Sequence, residues 1–289
     1  MTETSTQPST RTRATLVYYL KSPNFTIGLA LVGLVIVTAL VSQAYTPFDP
    51  SEMAVTNRLE GPSPTHPFGT DQYGRDLLSR VMLGAANSIT VGLISVGIGL
   101  GLGVLIGMLA GFYGRWLDEV IMRIMDVLYG FPAVLSALLI TSILGPGIKN
   151  SIIAIGIFNV PIFARLTRAN FLSLKERDFV NGARVIGRSN WGIIGRHMLP
   201  NTLSVIIVQA TISFAVAILA EAGLSYLGLG TQPPHPSWGL MLKNAQQYMS
   251  YSIWPAVFPG LGIAIAVLGF NLLGDGLRDI LDPQLRNIR

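Results

Sequence analysis

From Ile89 to Gly111 the chain runs for 23 residues without a charge. A bilayer's hydrocarbon core needs about 20 apolar residues of helix, so this one stretch already fixes the solvent in which the chain folds. Others match it: Phe25–Ala44, Val127–Ile148, His197–Ala220 (free of Asp, Glu, Lys and Arg) and the apolar part of the run between Lys243 and Asp275, about Ile253–Leu273. Asn150–Ala164 is shorter. Its 15 residues rise about 22 Å, enough to cross if Lys149 and Arg165 extend toward the interfaces. The expectation is an all-α membrane protein with six transmembrane helices. Only 12% of residues are charged, half the share usual for a soluble domain, and mean hydropathy is +0.52.

An even number of spans puts both termini on one side. If that side is the cytoplasm, the inner segments hold fifteen Lys and Arg and the outer ones five. The positive-inside bias then predicts N-in, C-in. The same reading explains the net charge of +5 as a topology signal and gives no nucleic-acid partner. The first apolar run exceeds a signal-peptide core and is read as an uncleaved anchor.

The expected organisation is a cytoplasmic N-terminal tail (1–24), a first transmembrane helix (25–45), a Pro-rich external loop (46–85), a transmembrane core (86–275) and a cytoplasmic C-terminal tail (276–289). Within the loop, "DLLSRVML" has helical periodicity and is expected near the membrane surface. Gly99, Gly103, Gly107 and Gly111 recur every fourth residue, which places them on one helix face suited to close packing in lipid. Pro132 and Pro161 are expected to kink their helices.

Chemistry is sparse. No Gly-Lys pair occurs, so the chain has no recognisable phosphate loop. It has no cysteine and no His-Glu-x-x-His pattern. His66, His197 and His235 read as structural. "GLSYL" at 223–227 lacks the second glycine of a nucleophile elbow, and no histidine is placed to activate Ser225. No catalytic residue, metal site or cofactor site is assigned to this chain. Arg123 and Asp126, three apart, are expected to neutralise each other. Glu221, near the outer end of its span, is the one candidate for a substrate path, with contact to external water as the alternative.

The most polar internal stretch lies at 172–200. Arg177–Pro200 divides into two short helices, Asp178 capping the first and Gly187 ending it. Phe179, Ala183 and Ile186 would share an apolar face, with Arg184 and Arg188 pointing elsewhere. Ser189 or Asn190 would cap a second helix carrying Trp191, Ile194 and Met198 on one face. Leu199-Pro200 would end it and start the fifth span. Such an element either lies on membrane lipid or docks in a partner's groove.

"FVNGARVIGRSNWGIIGRHMLPN" resembles the EAA loop of the inner-membrane subunits of binding-protein-dependent ABC importers. Asn181, Gly182 and Ala183 occupy the Glu-Ala-Ala positions, and Gly187, Leu199 and Pro200 match. Asn181 lacks the family's carboxylate, and Gly182 costs the helix about 1 kcal/mol relative to alanine. "HPFGTDQYGRDLLSRVMLGAANSI", "GFYGRWLDEVIMRIMDVLYGFP", "LSYLGLGTQPPHPSWG" and "DGLRDILDPQL" resemble the C-type permease of the dipeptide, oligopeptide and nickel importers.

The resemblance implies the type I ABC importer permease architecture in a prokaryotic inner membrane. The implied partners are a second, homologous permease subunit, two cytoplasmic ATPases that hold ATP and Mg, and an external solute-binding protein. It also implies that Arg177, Asp178, Phe179, Val180, Asn181, Gly182, Ala183, Arg184, Gly187, Arg188, Leu199 and Pro200 form the ATPase-docking element. The solute is a peptide, or the nickel, opines or sugars carried within the same family. An ATP-independent carrier and an exporter half are the readings it displaces.

Overall fold

The structure is a computed structural model and describes residues 22–281. The tail residues 1–21 and 282–289 lie outside it. The α-helices among the described residues are α1 (Pro23–Ala44), α2 (Leu77–Tyr113), α3 (Arg115–Tyr129), α4 (Ala133–Leu144), α5 (Ile148–Lys175), α6 (Asp178–Val185), α7 (Asn190–Ile193), α8 (Leu199–Tyr226), α9 (Trp238–Ala245) and α10 (Trp254–Leu281). Five helical stretches among these residues are long and apolar enough to cross a membrane: α1, α2, α5, the run Asn190–Tyr226 and α10.

The expected third span is not one helix. α3 stops at Tyr129, Gly130 to Pro132 break the path, and α4 has only 12 residues. Pro132 is the cause: it has no N–H for the carbonyl of Leu128 and its ring obstructs a continuing turn. The expected fourth span, short in the sequence reading, is instead part of the 28-residue α5. It runs on through Arg165 and Arg168 because carboxylates on α3 meet them. Arg165 Nη2 lies 2.9 Å from Asp126 Oδ1, and Arg168 grips Asp118 with Nη2–Oδ2 at 2.6 Å. Asp126 thus pairs across helices, not with Arg123 as expected. Pro161 lies inside α5 without ending it.

The second span also begins earlier than expected. "DLLSRVML" is the first part of the 37-residue α2 and not a surface segment, so the external connection ends at Asp76. Asp76 caps α2 by accepting from Ser79 N and Oγ, both at 2.7 Å, and also meets His66 Nδ1 at 2.9 Å. Asp71 accepts from Arg75 Nε at 2.7 Å, and Arg80 donates to the Pro50 carbonyl at 2.8 Å. These charges are buried and partnered, so the loop is a folded cap on one end of the bundle.

The densest seam joins α2 to α5. A Cβ on Gly99 would sit 2.2 Å from Asn159 Cβ, on Gly103 2.6 Å from the Val160 carbonyl oxygen, on Gly107 2.4 Å from that of Ala164, and on Gly111 2.7 Å from Phe171 Cβ. The stripe therefore lets two backbones approach as no larger residue could. Behind it, Val91, Ala154, Ile155, Phe163 and Ala217 form a closed core. At the capped end Trp238 is 2% exposed. Its indole donates to the Val81 carbonyl at 3.0 Å and lies against Gly84 and Gly262. The "TQPPHPSWG" stretch is thereby a plug rather than a free external loop.

Candidate functional site

The end opposite that plug carries α6, α7 and a π-turn, Ile194–Met198. α6 begins at Arg177, whose carbonyl accepts from Val180 N and Asn181 N. Arg177 is the cap; Asp178 is the first helical residue and makes no capping bond, which corrects the expected assignment. The helix ends as expected at Gly187, at φ +78. Arg188 N donates to the Ala183 carbonyl at 3.1 Å and Gly187 N to that of Arg184 at 3.0 Å. This is the Schellman arrangement, and its left-handed position suits glycine. Ser189 then caps α7, accepting from Gly192 N at 3.3 Å.

Leu199-Pro200 does not end the element. The helix continues from Asn190 to Tyr226, and the ladder widens to a π-turn where Leu199 N donates to Ile194 O, five residues back. Pro200 cannot support regular i→i−4 bonding toward Arg196, and the wider turn relieves that clash. The turn makes α7 and α8 one continuous run, and α6 packs against it to form one unit through Val180 and Ala183.

The faces of this unit differ from the expectation. Val180 is 0% and Ala183 4% exposed, packed with Phe112, Phe171, Ile193, Ile194 and Met198. Val180 and Ala183 therefore seat the helix and are not part of an outer surface. Ile186, placed by sequence on Ala183's face, is 74% exposed, and Trp191 is 60% exposed while Ile194 and Met198 are buried. In an eight-residue helix the i, i+3 pair Val180–Ala183 competes with the i, i+4, i+7 set, and the bulk of Phe171 beneath selects the former. The outward face holds Phe179 (43%), Val185 (87%) and Ile186, with Trp191 beside them. Large apolar groups are thus left uncovered together on this face, open to membrane lipid or to a partner.

The polar residues of α6 also face outward. Arg177, Asp178, Asn181, Gly182, Arg184 and Arg188 are all exposed. Arg184 donates to Asn181 Oδ1 at 3.2 Å, and a Cβ at Gly182 would meet open space. Pro200 is exposed and Leu199 half-buried.

Glu221 lies far from this unit and is 0% exposed. Its Oε1 accepts from Ser225 Oγ at 2.6 Å and Thr231 Oγ1 at 3.2 Å. Ser88 of α2 and Ser237, the cap of α9, stand beside the same carboxylate. Sequence reading missed these partners. In this structure Glu221 is buried: its Oε1 fastens the plug to α8, and its Oε2 has no hydrogen-bond partner among the described residues.

The structure is thus a bundle of membrane-length helices with one short helix, α6, seated at its end and partly uncovered. Comparison with known proteins gives the family: the chain belongs to the "Binding-protein-dependent transport system inner membrane component" family, whose profile matches residues 103–287, and it is a multi-pass inner-membrane protein. It is 47% identical over 269 residues to the dipeptide transport system permease protein DppC of Alkalihalophilus pseudofirmus, covering 90% of this chain and 87% of that one. It is 48% identical over 254 residues to the glutathione transport system permease protein GsiD of Escherichia coli, covering 88% and 84%. In fold it resembles the inward-facing MetNI methionine ABC transporter, with a TM-score of 0.59, 17% identity, and coverage of 70% of this chain and 96% of that chain.

Proposed function

We propose that this chain is one of two permease subunits of an ATP-driven importer for di- or oligopeptides or a peptide-like solute such as glutathione. An external binding protein delivers the solute, and two ATPases, holding ATP and Mg, work from the cytoplasm. The observation that carries the reading is the two-sidedness of α6. Val180 and Ala183 anchor it to α5 and the π-turn, while Phe179, Val185 and Ile186 stay uncovered.

The exposed face enters a groove on an ATPase. Arg177, Arg184 and Arg188 pair with acidic groups around it, and Asn181 supplies hydrogen bonds where relatives of the loop pattern have a carboxylate. When the ATPases close, force on α6 passes through the π-turn into α8 and biases the bundle between two arrangements. In this reading α3 and α4 together complete a sixth crossing, and both termini lie in the cytoplasm.

The test is reconstitution. Peptide uptake is expected only when this chain, its second permease, the ATPases, the binding protein and ATP are all present. Uptake by the purified chain alone would contradict the reading and support an ATP-independent carrier. Competition between dipeptides and glutathione for the binding protein identifies the solute.

A further inference from the structure

The broken third span leaves an opening that the α6 reading does not use. Gly130, Phe131 and Pro132 are non-helical and exposed, and they edge a cavity of about 510 Å³ that Phe158 and Asn159 of α5 and Val216 and Ala220 of α8 also line. Its depth follows from the helices around it. Asn159 is eleven residues from the start of α5, or about 16 Å along the axis. Val216 is ten residues from the end of α8, or about 15 Å. Both positions lie well inside helices long and apolar enough to cross a membrane, so the break falls between the ends of its neighbours and at membrane depth.

Hydrocarbon does not accept such a break. Pro132 has no N–H to give the Leu128 carbonyl, and the last turn of α3 keeps carbonyls without helical donors. Irregular backbone at this depth persists only where protein buries it or where it lines a water-filled cavity. Among the described residues nothing buries it: Tyr129 is 53% and Phe131 59% exposed. The surface there pairs free backbone acceptors with aromatic faces, and no charged side chain lines the cavity.

Taking the peptide-importer reading as its premise, we propose that Tyr129–Pro132 lines the solute path, with the α3 carbonyls accepting from peptide N–H groups and Phe131 contacting the passing side chain. A peptide suits this wall because its amides donate in sequence and its side chain is the variable apolar part. The absence of a charged anchor in the cavity lets solutes leave it, which a path requires and a storage site does not.

The chain's lack of cysteine makes the experiment direct. Phe131→Cys is placed in the assembled transporter with the other subunits freed of cysteine, and labelled with a charged, membrane-impermeant thiol reagent. Leu34→Cys, on the exposed side of α1 (56%), serves as the lipid-facing control. The expected result is fast labelling at position 131, slowed several-fold by binding protein loaded with dipeptide, and no labelling at 34.

In parallel, Phe131→Ala is expected to lower kcat/KM for a phenylalanine-containing dipeptide about tenfold relative to dialanine. Labelling at 131 as slow as at 34 would overturn the proposal, because the second permease or lipid would then cover the break. Fast labelling that solute does not slow, with an unchanged dipeptide preference, would overturn it as well. If the unsubstituted transporter moves no peptide, the importer reading fails and the peptide assignment with it, while labelling still reports whether the break faces water.

Discussion

The two ends of the bundle handle polar groups in opposite ways. At the plugged end, Asp71, Arg75, Asp76, Arg80 and Glu221 are all buried and each has a partner within the chain, with only Oε2 of Glu221 among their carboxylate oxygens unpaired. At the α6 end, Arg177, Asp178, Arg184 and Arg188 are exposed, and large apolar side chains stand uncovered among them. A buried polar network specifies one arrangement and is costly to disturb. An uncovered amphipathic face is easily altered in isolation and matters only when a partner arrives. The difference teaches where to look for stability and where for coupling: substitutions at the plug and seam should unfold the chain, and substitutions on the outer face of α6 should leave it folded but idle.

The largest expected effect is at the seam. Gly103→Leu forces a side chain against the Val160 backbone and Phe163, neither of which can swing away. Destabilisation of about 3 kcal/mol, the upper end for overpacking, is expected, read as loss of folded protein in a detergent thermal melt. A folded, active Gly103→Leu chain would mean that α2 and α5 are less tightly joined than described.

Next is the plug. Glu221→Ala removes the acceptor of the Ser225 and Thr231 hydroxyls and should cost about 1–3 kcal/mol. Limited proteolysis within 227–237 should speed up in step with it. A change in transport kinetics without loss of stability would instead return Glu221 to the substrate path.

The smallest effect is at Asp49, on the loop surface. Hydrogen bonds from Ser51 Oγ and N hold its carboxyl below the usual range. A lowered pKa contributes stability above the unfolded value, about pH 4, and loses it as pH falls through the folded one. Asp49 lies on the surface, so this contribution is small: Asp49→Asn should lower the melting temperature at pH 7 only slightly and flatten the acid limb of its pH profile by the same small amount.

How much of this was legible in the sequence differs by region. The Gly99–Gly111 stripe was, because a period of four survives any error in helix ends. Gly187 as a helix stop was, because αL geometry has few other solutions. Helix ends marked by charge were not: Arg80 and Arg165 read as leaving the membrane, yet each lies within a continuing helix because a carboxylate from another segment meets it. The break at Pro132 was expected only as a kink. The inward face of α6 was missed because eight residues carry too little periodicity to choose between two apolar sets, and the choice is made by Phe171 below. The partners of Glu221 come from a loop and from α2, a juxtaposition that no local pattern encodes.

The central claim is that α6 is a firmly seated handle through which partner ATPases move the bundle. Gly182→Glu tests it most directly, because a Cβ there meets no described atom within 4 Å and the substitution places a carboxylate on the exposed side. Solute-stimulated ATP hydrolysis is measured in the reconstituted transporter alongside the melting temperature of the isolated subunit. The account predicts an unchanged melt and stimulation reduced to the basal rate; full stimulation and normal uptake in the Gly182→Glu transporter would contradict it.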